Sequence, residues 1–582
     1  MAEFPPPLTN RPPIVGTHWV VSTGHYLATR AAAHMLEIGG NAIDAGVAGG
    51  MCINVLQSDM TNIGGVAPIM IYSAQKQELR SISGLGSWPQ AVDRDYFVNK
   101  CNGDIPPGVH RCVMPAAIDS WLTALKLYGT LPLAEVAAPA IALARDGFAG
   151  YYFFCSNIEA DAKILAQWPS SREIYLKDGR TPRLGERFQQ PDLANMLDML
   201  VEAEQGALHQ GREAAIQAAR DRFYKGDIAE RIAQFFHDEG GFLTLDDLKN
   251  FSVDVEVPVG VNYRGYDVYS CRPWCQGPVA PQALKILEGY DLASYGHNSV
   301  DTLHLITEAL KAAFADRERY YGDPKFVDVP IEGLHSADYN ATWRDRIRLD
   351  QAFPGMPDPG DPWAYQAGTP SHAVSSYVPP APFKARVEPD TSYLCVVDEQ
   401  GNAFSSTPSD GVSGSPIIPG LGFIVSGRGK QSWLDPNHPS VIQGGKRPRL
   451  TPSPGMIMRA GRVFAPYGSP GSDVQPQAMV QLAVDLIDFK LDPQAAVEAP
   501  RLASYSYPRS DHPHPYDPAA LSVEARMAPE ILKGLSDRGH VLRDWPAMTP
   551  RAGSLCTVVV DHENGFMIGA ADPRRISYAL GW

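Results

Sequence analysis

Residues 391–407 read TSYLCVVDEQGNAFSST. The first eight alternate as a half-buried strand does, Gln400-Gly401-Asn402 supplies turn chemistry, and 403–407 returns as a second strand. The preceding segment has another texture. From Gly355 to Pro389 prolines and glycines crowd together, and GMPDPGDPWAYQAGTPSHAVSSYVPPAP (355–382) supports no regular element. An unpatterned leader therefore runs directly into a hairpin at Asp390–Thr391. A threonine hydroxyl is a weak nucleophile unless a base sits beside it, and a threonine that begins a chain carries its own α-amine for that purpose. Such an amine has a pKa of about 7.7–8.0, so a useful fraction is neutral near physiological pH. An internal threonine can be released if its hydroxyl attacks the preceding carbonyl and water opens the resulting ester. Residues 390–392 permit this without requiring it, since threonine at a strand start also serves strand propensity.

Outward from the hairpin, residues 26–38 have helical spacing, with Leu27, Ala31, Met35 and Ile38 on one face and Gly39-Gly40 as the stop. Asn41 caps a second helix, 42–55, whose small residues suit close packing. An apolar run at 69–72 reads as a strand. Residues 122–148 are helical in pattern, interrupted at Tyr128-Gly129-Thr130, and 300–319 carries the clearest helical signal. Helices and strands in comparable amount, without an internal repeat, indicate a mixed α and β fold whose layer order periodicity leaves open.

At 582 residues, 44% hydrophobic and 20% charged, the chain is long enough for several ordinary domains or one large core. Its formal net charge of −15 speaks against a nucleic-acid binder, which needs clustered Lys and Arg. The eight cysteines are thinly scattered and read as reduced core thiols rather than a disulfide framework. No stretch has the character of a signal peptide or a membrane span, so a cytoplasmic protein with no membrane contact is expected.

A series of motifs then occurs in order: GGNAIDAGVA (39–48), Ile63-Gly64-Gly65, YGTLPL (128–133), ALARDGF (142–148) and EALKAAFADRERYYGDP (308–324) precede the hairpin. KRP (446–448), GSPGS (468–472), APR (499–501) and ADPRR (571–575) follow it. With these the chain resembles the gamma-glutamyltransferase family of N-terminal-nucleophile hydrolases over nearly its whole length. The resemblance implies an α/β chain folded as a four-layer αββα sandwich. It also implies a zymogen cut between Asp390 and Thr391, with a large subunit of 1–390 staying with a small subunit of 391–582. Carried over by position, Thr391 is the nucleophile and Ser409 stands where a second threonine assists it. Gly471 and Ser472 match a Gly-Gly pair whose N–H groups form the oxyanion hole. No cofactor or metal is implied. The expected partner is a small-molecule amide, and a processed pair is compatible with further oligomerisation.

The departures from the family fall in the substrate pocket. Leu85 stands where the family grips the glutamyl α-carboxylate with arginine, and Gln431 where it holds the α-amine with an acid. Gly411 replaces an asparagine, and Leu450 and Thr451 replace paired serines after KRP. These changes remove the charges complementary to a zwitterionic glutamyl head, and burying such charges uncompensated is costly. Arg428, with Lys430 nearby, instead suits an acyl group bearing an anion without an amine. The expected activity is that of an amidase or acylase for glutaryl-like, oxamate-like or other short carboxyacyl amides, with Arg428, Gln431, Thr451 and Leu85 as pocket positions. Two alternatives stay open: an authentic gamma-glutamyl transferase or glutathione hydrolase, and an uncleaved, inactive relative acting as a binding protein. Asp511-His512-Pro513-His514 has the outline of a metal clip and Ser371-His372 that of a catalytic pair, but polar loops hold such groups poorly. No G-x-S-x-G, H-E-x-x-H or P-loop signature occurs.

Overall fold

The computed structural model describes residues 9–372, 375–379, 381–383 and 391–582. Asp390, on the acyl side of the expected cleavage bond, lies outside the described residues. The 391–407 hairpin forms at Leu394–Val397 and Ala403–Ser406, in the middle of a seven-stranded antiparallel sheet. Val20–Thr23 pairs on one side of it and Ile69–Ser73 on the other. A second seven-stranded sheet contains Gly455–Arg459 and Arg462–Gly468 beside Cys556–Asp561. The alternation of the hairpin explains how the two sheets stack. Tyr393, Cys395 and Val397 point between them, with Met456, Val463 and Val558 from the other sheet. Leu394 and Val396 point outward, under the helices Tyr26–Glu37 and Ala42–Leu56. Helices Val279–Leu287, Val300–Tyr320 and Gln475–Ile487 cover the second sheet. The result is the expected αββα sandwich. The hairpin strands are buried on both faces rather than half-buried, because a sheet in a four-layer sandwich has no solvent side.

Several of the family-like motifs are joints of this frame. Asn41 and Asp44 form a reciprocal cap on the Ala42–Leu56 helix. Asp44 also accepts from the Thr130 N–H at 2.9 Å, which fixes the turn before Leu133–Asp146. Asp398, just after the Leu394–Val397 strand, accepts from the Ala42 N–H at 2.9 Å and from Asn402 at 2.9 Å, tying hairpin to helix start. Regular pairing begins only at Leu394, three residues later than the sequence pattern suggests. Thr391 has φ +115°, outside the strand region, and its N–H turns away to Met60 O at 3.2 Å. Between 355 and 383 the described residues form one 3-10 turn, Pro362–Tyr365. A small third sheet, Leu502–Ser504, Ala520–Glu524 and Val541–Trp545, has no counterpart in the sequence reading. All eight cysteines are free thiols.

The small residues of Ala42–Leu56 have a steric cause. A Cβ at Gly46 would lie 2.2 Å from the Phe404 ring, so the helix can sit on the hairpin only without one. Gly46→Ala is therefore expected to destabilise the fold by about 1–3 kcal/mol, against any gain in helix propensity. Gly206, exposed in the Pro191–Ala207 helix with open space around it, is the control. There Ala should stabilise by about 0.5–1 kcal/mol. Denaturant midpoints of the two variants check this, and equal effects would contradict it.

Candidate active site

The two sheets deliver two halves of one site. Tyr393, two residues after Thr391, packs its ring on Gly468, where a Cβ would be 2.3 Å away. Gly471 and Ser472 follow three and four residues later. The hairpin end and the turn that leaves the second sheet are thereby brought together.

On the hairpin side, Thr391 is fully buried and its Oγ1 lies 2.7 Å from Ser409 Oγ. Ser409 is placed by a two-way backbone bridge to Val66. Arg428 Nη2 donates to the same Ser409 oxygen. Arg428 Nε is 2.5 Å from Asp410 Oδ1, and Ser426 Oγ donates to Asp410 Oδ2 at 2.5 Å. A guanidinium can only donate, so Ser409 Oγ accepts from Arg428 and its own proton is available to Thr391. Arg575, from the ADPRR motif, donates to Thr391 O at 3.1 Å.

On the second side, Gly471 has φ +122° and Ser472 φ +50°. The serine thus holds the left-handed backbone that a glycine would adopt freely, at a cost of about 1–2 kcal/mol. Among the described residues neither N–H of the pair donates to a protein acceptor, and Ser472 Oγ is buried without a hydrogen-bond partner. Gln276 Nε2 donates to Ser472 O at 2.9 Å and Gln276 Oε1 accepts from Arg317 at 2.9 Å. Arg317 also pairs with Asp473 at 2.6 Å and with Glu318 at 2.6 Å, and Arg449 pairs with Glu318 at 2.7 Å. Burial alone would raise both carboxyls, but Arg449 and Arg317 hold Glu318, and Arg317 and Arg509 hold Asp473, below the usual carboxylate range. The motifs EALKAAFADRE and KRPR therefore meet under the Gly471–Ser472 turn.

A cavity of about 510 Å³ opens here, walled by Gly471, Asp410, Gly411, Lys430, Arg111 and Asp59 among others. At Gly411 a Cβ would be 2.1 Å from Asp59 O, so there is no space for the family's asparagine. Arg428 lies behind this wall, engaged with Asp410 and Ser409. Gln431 and Thr451 are bonded to each other, amide to hydroxyl at 2.9 Å and N–H to amide oxygen at 3.1 Å, and Gln431 also donates to Asp511 at 2.7 Å. Leu85 is elsewhere, packed with Val66, Trp274 and Leu450 beside a separate cavity of about 410 Å³.

The outlined metal clip does not converge. His512 pairs with Asp104 at 3.2 Å, and His514 stacks on Trp433. Ser371 and His372 both bind Asp328. Among the described residues His304, Glu308 and His540 are the group whose ligand atoms come together, but Glu308 is paired with Lys311 at 2.8 Å and none of the three lines the cavity.

The gamma-glutamyltranspeptidase family profile matches residues 28–582. The chain belongs to that family. It is 32% identical to the glutathione hydrolase-like YwrD proenzyme of Bacillus subtilis, over 98% of this chain and 99% of that one. It is 28% identical to the oxamate amidohydrolase proenzyme of Klebsiella pneumoniae, over 98% and 99%. The crystal structure of a cephalosporin acylase from Bacillus halodurans superposes with a TM-score of 0.84 at 28% identity, covering 100% of this chain and 99% of that one. This member of the gamma-glutamyltranspeptidase family is accordingly a self-processing amide hydrolase or acyltransferase.

Sequence reasoning missed Arg111, Asp59 and Arg575 in this site. Asp59 Oδ2 accepts from Asn157 at 2.7 Å. Burial raises its carboxyl from the usual 3.8 to about 7, outweighing Asn157 and Arg575, which lower it. The folded protein therefore binds a proton between pH 4 and 7 that the unfolded chain has released, and stability attributable to this group falls as pH rises through that window. Asp59→Asn removes the titration. The melting temperature of the wild type should fall relative to the variant from pH 4 to 7, and parallel pH profiles would contradict the assignment.

Proposed function

We propose that the chain cuts itself at Asp390–Thr391 into subunits 1–390 and 391–582, and that the mature enzyme acts on amides of short carboxyacyl groups without an α-amine. In processing, Thr391 Oγ attacks the Asp390 carbonyl carbon, and the peptide nitrogen leaves with a proton. Water then opens the ester, freeing the Asp390 carboxyl and the Thr391 hydroxyl, and the nitrogen released in the first step is the new α-amine. In turnover Thr391 Oγ attacks the substrate carbonyl and the α-amine takes its proton. The N–H groups of Gly471 and Ser472 receive the oxyanion. The leaving amine departs with the proton, and water or an acceptor amine releases the acyl group. Ser409, polarised by Arg428, donates to Thr391 Oγ while negative charge develops there. Gln431 and Thr451 bond to each other where the family would hold an ammonium, and Gln431 turns an amide donor towards Asp511 there.

The observation that carries the reading is the character of that patch. Gln431 stands at the acid's position with its amide engaged by Thr451 and Asp511, and neither it nor Leu85, at the arginine's position, lines the cavity beside Gly471. The relatives include proteins described as an oxamate amidohydrolase and a cephalosporin acylase, so the shared fold is compatible with acyl groups other than γ-glutamyl.

The test compares a glutaryl anilide with a γ-glutamyl anilide, which differ by one α-amine. The glutaryl compound should be turned over with at least about tenfold higher kcat/KM, the scale of one uncompensated charge. The reverse preference would make this an authentic gamma-glutamyl enzyme. Thr391→Ala should abolish cleavage and turnover, and Thr391→Ser should keep part of each. Full turnover by uncleaved Thr391→Ala would overturn the mechanism.

A further inference from the structure

Arg111 ends the short 3-10 turn Val109–Arg111 that leads into the Ala117–Tyr128 helix. It is 8% exposed and lines the same cavity as Gly471 and Asp410. Its Nε donates to Gly414 O at 3.1 Å. Among the described residues its two terminal nitrogens meet no acceptor, which leaves four of the five N–H donors of a guanidinium unanswered. Arginine cannot shed its charge in a protein, and terminal nitrogens without a protein acceptor at the wall of a cavity are available to an anionic ligand.

The carboxylates that act on Arg111 already have other partners. Asp410 is 2.5 Å from Arg428 Nε, and Asp511 accepts from Gln431 and lies 3.5 Å from Lys430 Nζ. Arg428 and Lys430 lie near the same two carboxylates as Arg111. The floor beside Arg111 is made of glycine. A Cβ at Gly427 would come within 3.3 Å of Arg111 Nε and 3.2 Å of Gly414 Cα, so side chains there would crowd the guanidinium. A fixed, planar, multiply donating cation beside a turn that offers two N–H groups is the arrangement that a carboxylate on a short acyl chain would complete.

We propose that Arg111 is the acyl-carboxylate subsite of this enzyme, gripping the distal anion of the substrate while its carbonyl lies at Gly471 and Ser472. This rests on the carboxyacyl reading above and moves its anchor from Arg428, which holds Ser409, to Arg111. The substrate class it selects is the amide of a short dicarboxylic acid.

The test uses processed protein with Arg111→Gln and Arg111→Lys, each normalised to its cleaved fraction. It reads the ratio of kcat/KM for a glutaryl anilide to that for a butyryl anilide, together with the Kd for glutarate by calorimetry. Arg111→Gln should lower the ratio about 10–100-fold, mostly through KM, and weaken glutarate binding by a similar factor. Arg111→Lys, which keeps charge but loses the fork, should fall between. A wild-type ratio and a wild-type glutarate Kd in either variant would overturn the proposal. The two readings fail separately. A wild type that prefers the γ-glutamyl anilide would refute the missing α-amine, while loss of the glutaryl-to-butyryl ratio in Arg111→Gln would still support the subsite.

Discussion

The 2.7 Å hydrogen bond between Thr391 and Ser409 is the contact around which this molecule is arranged. Two hydroxyls alone would leave the direction of that bond undecided. Arg428 biases it, because its donation occupies one lone pair of Ser409 and leaves the serine proton available to Thr391. Asp410 in turn fixes Arg428, and Ser426 fixes Asp410. The chain of donors ends on Thr391 Oγ, the oxygen that the proposed attack would make negative, and it lies in a place without bulk water to screen it. The threonine is held there at φ +115°, a strained backbone that cleavage of the preceding bond would release.

The opposite half of the site rests on ions rather than hydroxyls. Arg317, Glu318, Arg449 and Asp473 form a fully buried network beneath the Gly471–Ser472 turn. Buried pairs of this kind often contribute little net stability, so their value here is positional. Through Gln276 they fix the carbonyl of Ser472 and hold a non-glycine residue in a left-handed conformation. The sandwich is the scaffold for both halves, since Tyr393 against Gly468 sets how closely the hairpin and the turn approach.

Much of this was legible in the sequence. Period-two alternation with a Gly-Asn turn marked the hairpin, and helical spacing located Ala42–Leu56 and Val300–Tyr320 to within a residue or two at their ends. The ordered motifs gave the layer order that periodicity could not. What stayed hidden depended on contacts between distant segments. Whether Leu85 reaches the pocket is decided by how its segment packs against Trp274 and Leu450. Whether Arg428 faces solvent is decided by Asp410, a neighbour only across a loop. Arg111 did carry a local signal, a lone arginine in the otherwise apolar run CVMPAAI that follows it, but charge balance around it became visible only in three dimensions.

The most direct measurement is the intact mass of freshly purified protein under denaturing conditions, with N-terminal sequencing of the smaller chain. The account predicts two chains whose masses sum to the 63.3 kDa precursor plus one water, the smaller beginning Thr391-Ser392-Tyr393. A single uncut chain that persists on long incubation, or a small chain beginning at any other residue, would contradict it.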